Sequence, residues 1–406
     1  MKILYITQYF DPEPNTFKGK KLIRELEKSN IFCSVLTTYP NYPYGKVYQS
    51  YLQHSKKPML FNEEGISVLR VPIFVSHNSN PIKRLLTYFS FCFSCIRYFN
   101  MMKKDFDAIY VYHPPITSVL AAVIISNRLN IKLITDVQDI WPESIEQSGM
   151  IKNKYLLRLI KWLFNKVLLL ADHTIVQSQG FLEELTSRNV PQEKLTLIYN
   201  WGDTVIPNKT NYADKYKHFL NYDLNIVYAG NIGSAQDLES VIEGFLLSLN
   251  SIQELRIAFH LFGEGIEKEK LITKFKQDNL YFYNQVPSDE ISYIYSISDA
   301  ALLHLKNKLF FAKTIPSKFQ GYLSAGIPII CLVPGECARL TLENRLGFVG
   351  EPENILSISE AIQTFAKSSE EERKKISQRN LDFYSNNFSL NIGAAKLKET
   401  FMDLLS

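Results

Sequence analysis

Four stretches of this 406-residue chain set glycine near a helix start, two of them with lysines, in ways that suit a phosphate-bearing ligand. In the first, Gly19 stands among Lys18, Lys20 and Lys21, where a helix should begin after a short apolar run. A glycine there lets an anion or a sugar approach the free backbone N–H groups and the positive helix end. The plainer reading is a turn. The second stretch is Ala229-Gly230-Asn231-Ile232-Gly233, whose two glycines ahead of a helix can cradle a diphosphate on backbone donors. Its spacing is not the GxGxxG fingerprint, which disfavours a dinucleotide cofactor. The third, Phe262-Gly263-Glu264-Gly265, suits close approach of a nucleotide, with Gly265 the residue expected to line it. The fourth runs from Lys313 to Pro328. Pro316 and Ser317 can start a helix there and Gly326 can end it. Lys318 then lies in the first turn, where a cation and the helix end together clamp a diphosphate, with Lys313 nearby. Taken alone, Lys318 reads as a surface lysine on a capped helix.

Three further side chains could act on hydroxyl groups. Asp139 and Glu143 lie in Thr135-Asp136-Val137-Gln138-Asp139-Ile140-Trp141-Pro142-Glu143, directly after a strand-like run. Carboxylates at a strand's carboxyl end can activate an acceptor or bind sugar hydroxyls. The structural alternative makes Asp139 a turn cap and Trp141 core. His113, in Tyr112-His113-Pro114-Pro115, also follows a strand and is a sugar ligand or a structural histidine. The five cysteines are dispersed and odd in number, as in a reducing compartment. Cys92 and Cys95 have CxxC spacing but sit in an aromatic run with no second pair, so they read as core or interface residues and not as a zinc or redox motif.

The elements that must position these residues alternate. Strand-like runs at 3–7, 32–37, 67–71, 108–112, 132–136, 173–177 and 195–199 are separated mostly by helical patterns. A helix is expected over 17–29. Apolar strands alternating with helices indicate a parallel sheet covered on both faces. Residues 200–217, with Gly202, Pro207 and several Asn and Thr, break the rhythm and read as a linker. The pattern restarts with strands at 225–229, 256–262, 280–284, 300–305 and 329–332. The expectation is an α/β protein of the GT-B plan: two Rossmann-like doubly wound domains facing each other across a cleft. Residues 1–203 would form the first domain, 204–380 the second, and 381–406 a C-terminal helix returning to the first domain.

Charge is unevenly spread. Residues 1–205 hold 24 Lys and Arg against 17 Asp and Glu, whereas 206–406 hold 21 against 24. The net charge of +4 is too small to argue for nucleic acid, and the basic half points to an anionic surface or substrate. Residues 65–104 and 148–171 contain no acid. Lys83, Arg84, Arg158 and Lys161 are interleaved there with apolar residues including Trp162. Neither run reaches the ~20 apolar residues of a transmembrane helix, but both suit basic amphipathic helices in a lipid headgroup region. The opening residues 1–7 are too short and too soon polar for a signal peptide, so the protein is expected to stay in the cytoplasm, on the membrane's inner face. Part of each helix must also be domain core.

The chain resembles family 4 glycosyltransferases of bacterial surface-polysaccharide clusters, especially the N-acetyl-L-fucosamine transferase type of O-antigen and capsule synthesis. The resemblance spans nearly all of it. It rests on Thr38-Tyr39-Pro40-Asn41-Tyr42-Pro43-Tyr44-Gly45-Lys46 and on Arg70-Val71-Pro72 leading to Ser76-His77-Asn78. It rests also on Arg84-Leu85-Leu86-Thr87-Tyr88-Phe89-Ser90-Phe91, Val176-Gln177-Ser178 and residues 137–144, 229–236 and 314–318. It implies a retaining hexosyltransferase taking a nucleotide sugar, UDP-linked by preference, to a polyprenyl-diphosphate-linked glycan. No metal is expected. The leaving diphosphate would help deprotonate the incoming hydroxyl, so no dedicated nucleophile is needed. The chain also departs from the family. Many members carry two glutamates eight positions apart, the second gripping the donor ribose, where this sequence has Lys313 and Gly321. The Arg and Lys that often follow the glycine loop of the second domain are absent from Ile232-Gly233-Ser234-Ala235-Gln236, and Gln138 stands where a histidine is common. A sugar-nucleotide epimerase of the same fold, or a non-catalytic subunit binding donor or lipid, therefore stays open as an alternative.

Overall fold

The computed structural model describes residues 1–14, 18–76, 81–103, 105–143, 146, 153–202 and 212–406. Lys104, Ser144, Lys152 and the His77-Asn78 pair of the resemblance lie outside the described residues, as does 203–211 of the expected linker.

The chain divides into two units, Met1–Tyr199 with Leu390–Ser406, and Asn200–Ser389. The first holds β1 (Lys2–Ile6), β2 (Phe32–Thr38), β3 (Met59–Glu63), β4 (Ile66–Val71), β5 (Ala108–His113), β6 (Lys132–Val137), β7 (His173–Val176) and β8 (Leu195–Leu197). Their order is β3-β4-β2-β1-β5-β6-β7-β8, and every pairing is parallel except β3 with β4. The second unit holds β9 (Leu224–Ala229), β10 (Ile257–Phe262), β11 (Leu280–Tyr283), β12 (Ala300–His304), β13 (Ile329–Leu332) and β14 (Gly347–Val349). It is ordered β11-β10-β9-β12-β13-β14 and is wholly parallel. Central strands such as β5 and β9 are buried throughout, because helices cover both faces of each sheet.

The strand order reverses beside β1 in one sheet and beside β9 in the other. In such sheets ligands bind beyond the strands' carboxyl ends at the reversal. The loops carrying Gly19 and Gly230 follow these two strands.

Two strands are not among those that the sequence predicts. β3 is an exposed edge, and it pairs with β4 through Glu64 and Gly65, both at positive φ as a two-residue hairpin turn requires. β14 has three residues. The expected border at 380 falls inside the helix Glu370–Asn387, which is fastened within the second unit. There the Asn380 amide donates to the Ile327 carbonyl at 2.8 Å and the Tyr384 hydroxyl to the Gly202 carbonyl at 2.8 Å. The last helix, Leu390–Leu405, belongs to the first unit and sets Phe401 against the ring of Tyr110. Of the expected linker, Tyr216 is buried in the second unit, its hydroxyl donating to Glu290 at 2.5 Å.

Candidate functional site

The carboxyl ends of β9, β10 and β11 open into a cavity of about 960 Å³ within the second unit. Gly230 and Asn231 line it after β9, Gly263, Glu264 and Gly265 after β10, and Gln285 and Val286 after β11. The helix Ser288–Ser296 and residues Gly321, Ser324 and Ala325 of the helix Ser317–Ala325 complete the wall.

Glycine is required in this wall for two reasons. Gly230, Gly263 and Gly265 have φ of +145°, +152° and +158°. The two loops are also laced together: Gly230 N–H donates to the Phe262 carbonyl and Ile232 N–H to the Glu264 carbonyl, each at 2.8 Å. A Cβ on Gly263 would lie 1.8 Å from the Gly230 carbonyl oxygen, and one on Gly265 2.2 Å from that of Ile232. The Tyr228 hydroxyl donates to the Asn231 carbonyl at 2.6 Å. The Asn231 amide donates to Gln236 at 3.0 Å. Gly233 is buried beside it, so it shapes the loop from behind and does not line the cavity.

Lys318 projects to the base of this wall. Its Nζ lies 3.6 Å from the centre of the Tyr228 ring, and a Cβ on Gly230 would touch its side chain. Among the described residues no carboxylate pairs with it. Burial without an anion pushes its pKa down to about 7. Pro316 gives its helix no side-chain cap, and Phe319 N–H turns back to the Pro316 carbonyl at 2.9 Å, so the N–H groups of Ser317 and Lys318 and the ammonium are the donors at this helix start. Lys313 is half-buried one short turn upstream and has partners of its own.

The matching place in the first unit is already filled. Lys20 N–H, at the start of the helix Lys20–Glu27, donates to the Asp11 carboxylate at 2.8 Å. A Cβ on Gly19 would lie 2.3 Å from that carboxylate. The space at Gly19 is thus taken by the Asp11 carboxylate, and not by open room for the donor it was expected to bind. Lys18 is buried and pairs at 3.1 Å with Asp136, which is also buried and accepts from Tyr110 and Gln138. Glu13 is likewise consumed, accepting from the backbone of Phe10, Asn41 and Tyr42. Sequence reasoning missed the Lys18–Asp136 pair, because nothing local marks residues so distant in the chain as partners.

Asp139 is half-buried in the loop after β6, which is pinned where Gln138 N–H donates to the His113 carbonyl at 3.0 Å and Gln177 to the Gln138 carbonyl at 2.6 Å. Its place at the carboxyl ends of the central strands is the expected one. Glu143 is not held ready for an acceptor. It forms ion pairs with Arg188 at 2.6 Å and Lys161 at 3.1 Å. His113 is fully buried between the rings of Trp141 and Phe164, with centroids 5.8 and 5.4 Å away. Burial pushes its pKa down to about 3, so it stays neutral in this aromatic setting. All five cysteines are free and buried.

The two basic stretches form the helices Pro81–Tyr98 and Lys154–Leu169. Each buries one face, Phe91, Cys92 and Cys95 in the first and Leu157, Phe164, Val167 and Leu168 in the second. Each also exposes large apolar residues: Leu86, Phe89 and Phe93, and Tyr155, Leu159 and Trp162. Lys83 and Arg158 are exposed. Arg84 is half-buried and reaches the Tyr88 hydroxyl, and Lys161 is tied to Glu143, so these two are less free than expected. Among the described residues no helix is long and apolar enough to cross a membrane.

Residues 21–201 match the model of the glycosyl transferase 4-like domain, and residues 213–382 that of glycosyl transferases group 1. The chain belongs to the family 4 GT-B glycosyltransferases, and it is a glycosyltransferase. It is similar to the putative colanic acid biosynthesis glycosyl transferase WcaI of Escherichia coli K12, with 24% identity over 80% of this chain and 82% of that one. Solved structures share the fold. Anabaena HepE in complex with UDP has a TM-score of 0.69 at 13% identity, covering 99% of this chain and 100% of that one. Sucrose-phosphate synthase from Thermosynechococcus elongatus has 0.68 at 14%, covering 100% and 99%.

Proposed function

We propose that this glycosyltransferase moves a sugar of the N-acetylated deoxy class from UDP to a polyprenyl-diphosphate-linked saccharide, with retention, in O-antigen or capsule synthesis. The observation that carries the donor reading is Lys318: an ammonium with no carboxylate paired to it among the described residues, at a helix start without a side-chain cap, beside a glycine-walled cavity. In this reading Lys318, the helix end and the N–H groups of the Gly230 loop take the diphosphate. The cavity takes the nucleoside. HepE, a relative in fold, has been solved with UDP and glucose, which supports the choice of nucleotide. The colanic acid relative supports a surface polysaccharide as the product class.

Chemically, the bond from the anomeric carbon to the diphosphate oxygen breaks, and the acceptor oxygen bonds to that carbon on the same face. The acceptor proton passes to the leaving diphosphate. What the protein must supply is position and stabilisation of the charge growing on the diphosphate. Lys318 and the backbone donors supply it in our reading with no metal ion, so transfer should survive a chelator. Asp139 is the group we assign to orienting a sugar hydroxyl.

The acceptor would be met at an anionic membrane on the cytoplasmic side. Exposed Phe89, Phe93, Leu159 and Trp162, with Lys83 and Arg158 exposed on the same helices, support this reading. Each basic side chain near such a leaflet contributes about 1 kcal/mol. The test is release of nucleotide from a panel of sugar nucleotides, with and without a polyprenyl-diphosphate acceptor. Acceptor-dependent release is expected. Epimerised donor without acceptor, or binding without release, would replace the transferase reading.

A further inference from the structure

β12 is apolar up to its last residue, where the run Ala300-Ala301-Leu302-Leu303 ends on His304. That imidazole is 1% exposed, and a buried polar ring is kept at low cost only where its nitrogens find partners. Both do, and on loops outside its own strand. Nε2 lies 3.2 Å from the Glu353 nitrogen, in the loop after β14, and Nδ1 lies 2.6 Å from the Gln236 carbonyl oxygen, in the loop after β9. A backbone N–H can only donate, so Nε2 is the bare nitrogen. Nδ1 therefore carries the proton and donates to Gln236. The two partners fix one neutral tautomer, and burial holds the ring's pKa below the ordinary histidine range.

Gln236 stands close to the donor cavity. Its side-chain oxygen accepts from the Asn231 amide at 3.0 Å, and Asn231 lines the cavity. Its own N–H turns back to the Gly233 carbonyl at 3.0 Å. The loop after β9 is tied to β10's loop through Gly230 and Ile232, and to the end of β12 through Ala235 and Gln236. The Ala235 carbonyl accepts from Lys306 N–H at 3.0 Å. Three of these four ties run from backbone to backbone and need no particular side chain. The fourth needs His304.

We propose that His304 is a positioning residue for the donor: it holds Gln236, and through it Asn231, so that the loop after β9 meets the diphosphate in one fixed shape. This rests on the donor reading above. His304 does not line the cavity and acts through the loop alone.

The test separates the two hydrogen bonds. An asparagine amide reaches about as far as Nδ1, so His304→Asn keeps a donor for Gln236 and gives up Glu353. A glutamine amide reaches about as far as Nε2, so His304→Gln keeps an acceptor for Glu353 and gives up Gln236. Each loses one buried contact, and both should unfold at a lower temperature than wild type. UDP affinity, measured by calorimetry on the full chain, should part them. His304→Gln should bind UDP about tenfold more weakly, the size of one lost hydrogen bond, while His304→Asn stays close to wild type. Nitrogen-15 NMR of the wild-type imidazole should find the proton on Nδ1, a reading that needs no variant to fold. A folded His304→Gln with wild-type affinity, equal losses in both variants, or a proton on Nε2 would each overturn the proposal and leave the donor reading standing. If wild type itself binds no UDP, the donor reading fails and this inference with it.

Discussion

The loops after β1 and β9 occupy equivalent places in two similar sheets, yet their charges are handled in opposite ways. After β1 every charge is answered from within. Asp11 caps the helix that Gly19 begins, and Lys18 is buried against Asp136. After β9 the loop is held by backbone hydrogen bonds and by the side chains of Tyr228 and Asn231, and Lys318 stands over a tyrosine ring with no carboxylate paired to it among the described residues. A polypeptide leaves a half-buried cation uncompensated only at a cost in solvation. An anionic ligand offsets that cost when it binds. Glycine and lysine beside a helix start are therefore spent on structure in one unit and, in the function proposed above, on an anionic ligand in the other.

The largest expected effect comes from breaking the closed side. Lys18→Ala leaves Asp136 buried beside nothing positive, and removal of one partner of such a pair costs about 3–5 kcal/mol. Chemical denaturation should show that loss, while UDP affinity measured on the folded fraction stays as in wild type. A UDP affinity that fell in step with stability would erase the distinction between the loops.

Breaking the open side should do the reverse. Lys318→Ala is expected to cost about 1.5–3 kcal/mol of UDP binding, the range for hydrogen bonds to a charged group, with no loss of stability. Calorimetry and thermal unfolding on one preparation decide it, and a well-folded variant with unchanged affinity and turnover removes Lys318 from the site.

The lysine's own titration sharpens the contrast. Burial lowers its pKa to about 7 in the empty protein, and an adjacent diphosphate must raise it. Below pH 7 the ammonium is already formed and contributes no slope. Above pH 7 each binding event takes up a proton, so affinity should fall by up to about tenfold per pH unit until the bound-state pKa is reached. Lys318→Arg keeps its charge and should lose that part of the slope. Identical slopes in both proteins would mean that Lys318 does not titrate on binding.

The smallest effect belongs to Asp11→Ala. Loss of a helix cap costs about 1 kcal/mol, visible as a lower unfolding temperature. UDP affinity should be untouched, and a clear change in it would bring the loop after β1 back into the donor site.

Much of this molecule was legible in the order of its residues. Apolar runs alternating with helical patterns identified every central strand of both sheets, because strands buried on two faces are predominantly apolar. β3 and β14 escaped, the one for being an exposed edge and the other for its length. The glycine loops were recognisable because turns and close backbone approaches leave a local mark. Lys318 was recognisable because helix starts do. The remainder depended on partners far away in the chain. His113 and Asp139 look alike from the sequence, each after a strand and before a proline or a tryptophan, but only packing put aromatic rings around the first. Glu143 looked available until Arg188 and Lys161 arrived from two later helices. The sequence by itself determined which segments must be buried and where the chain must turn, since both follow from each residue's own chemistry. Whether a charged side chain meets its counterpart or is left for a ligand was decided by the tertiary structure, since burial and pairing are properties of neighbours that only folding brings together.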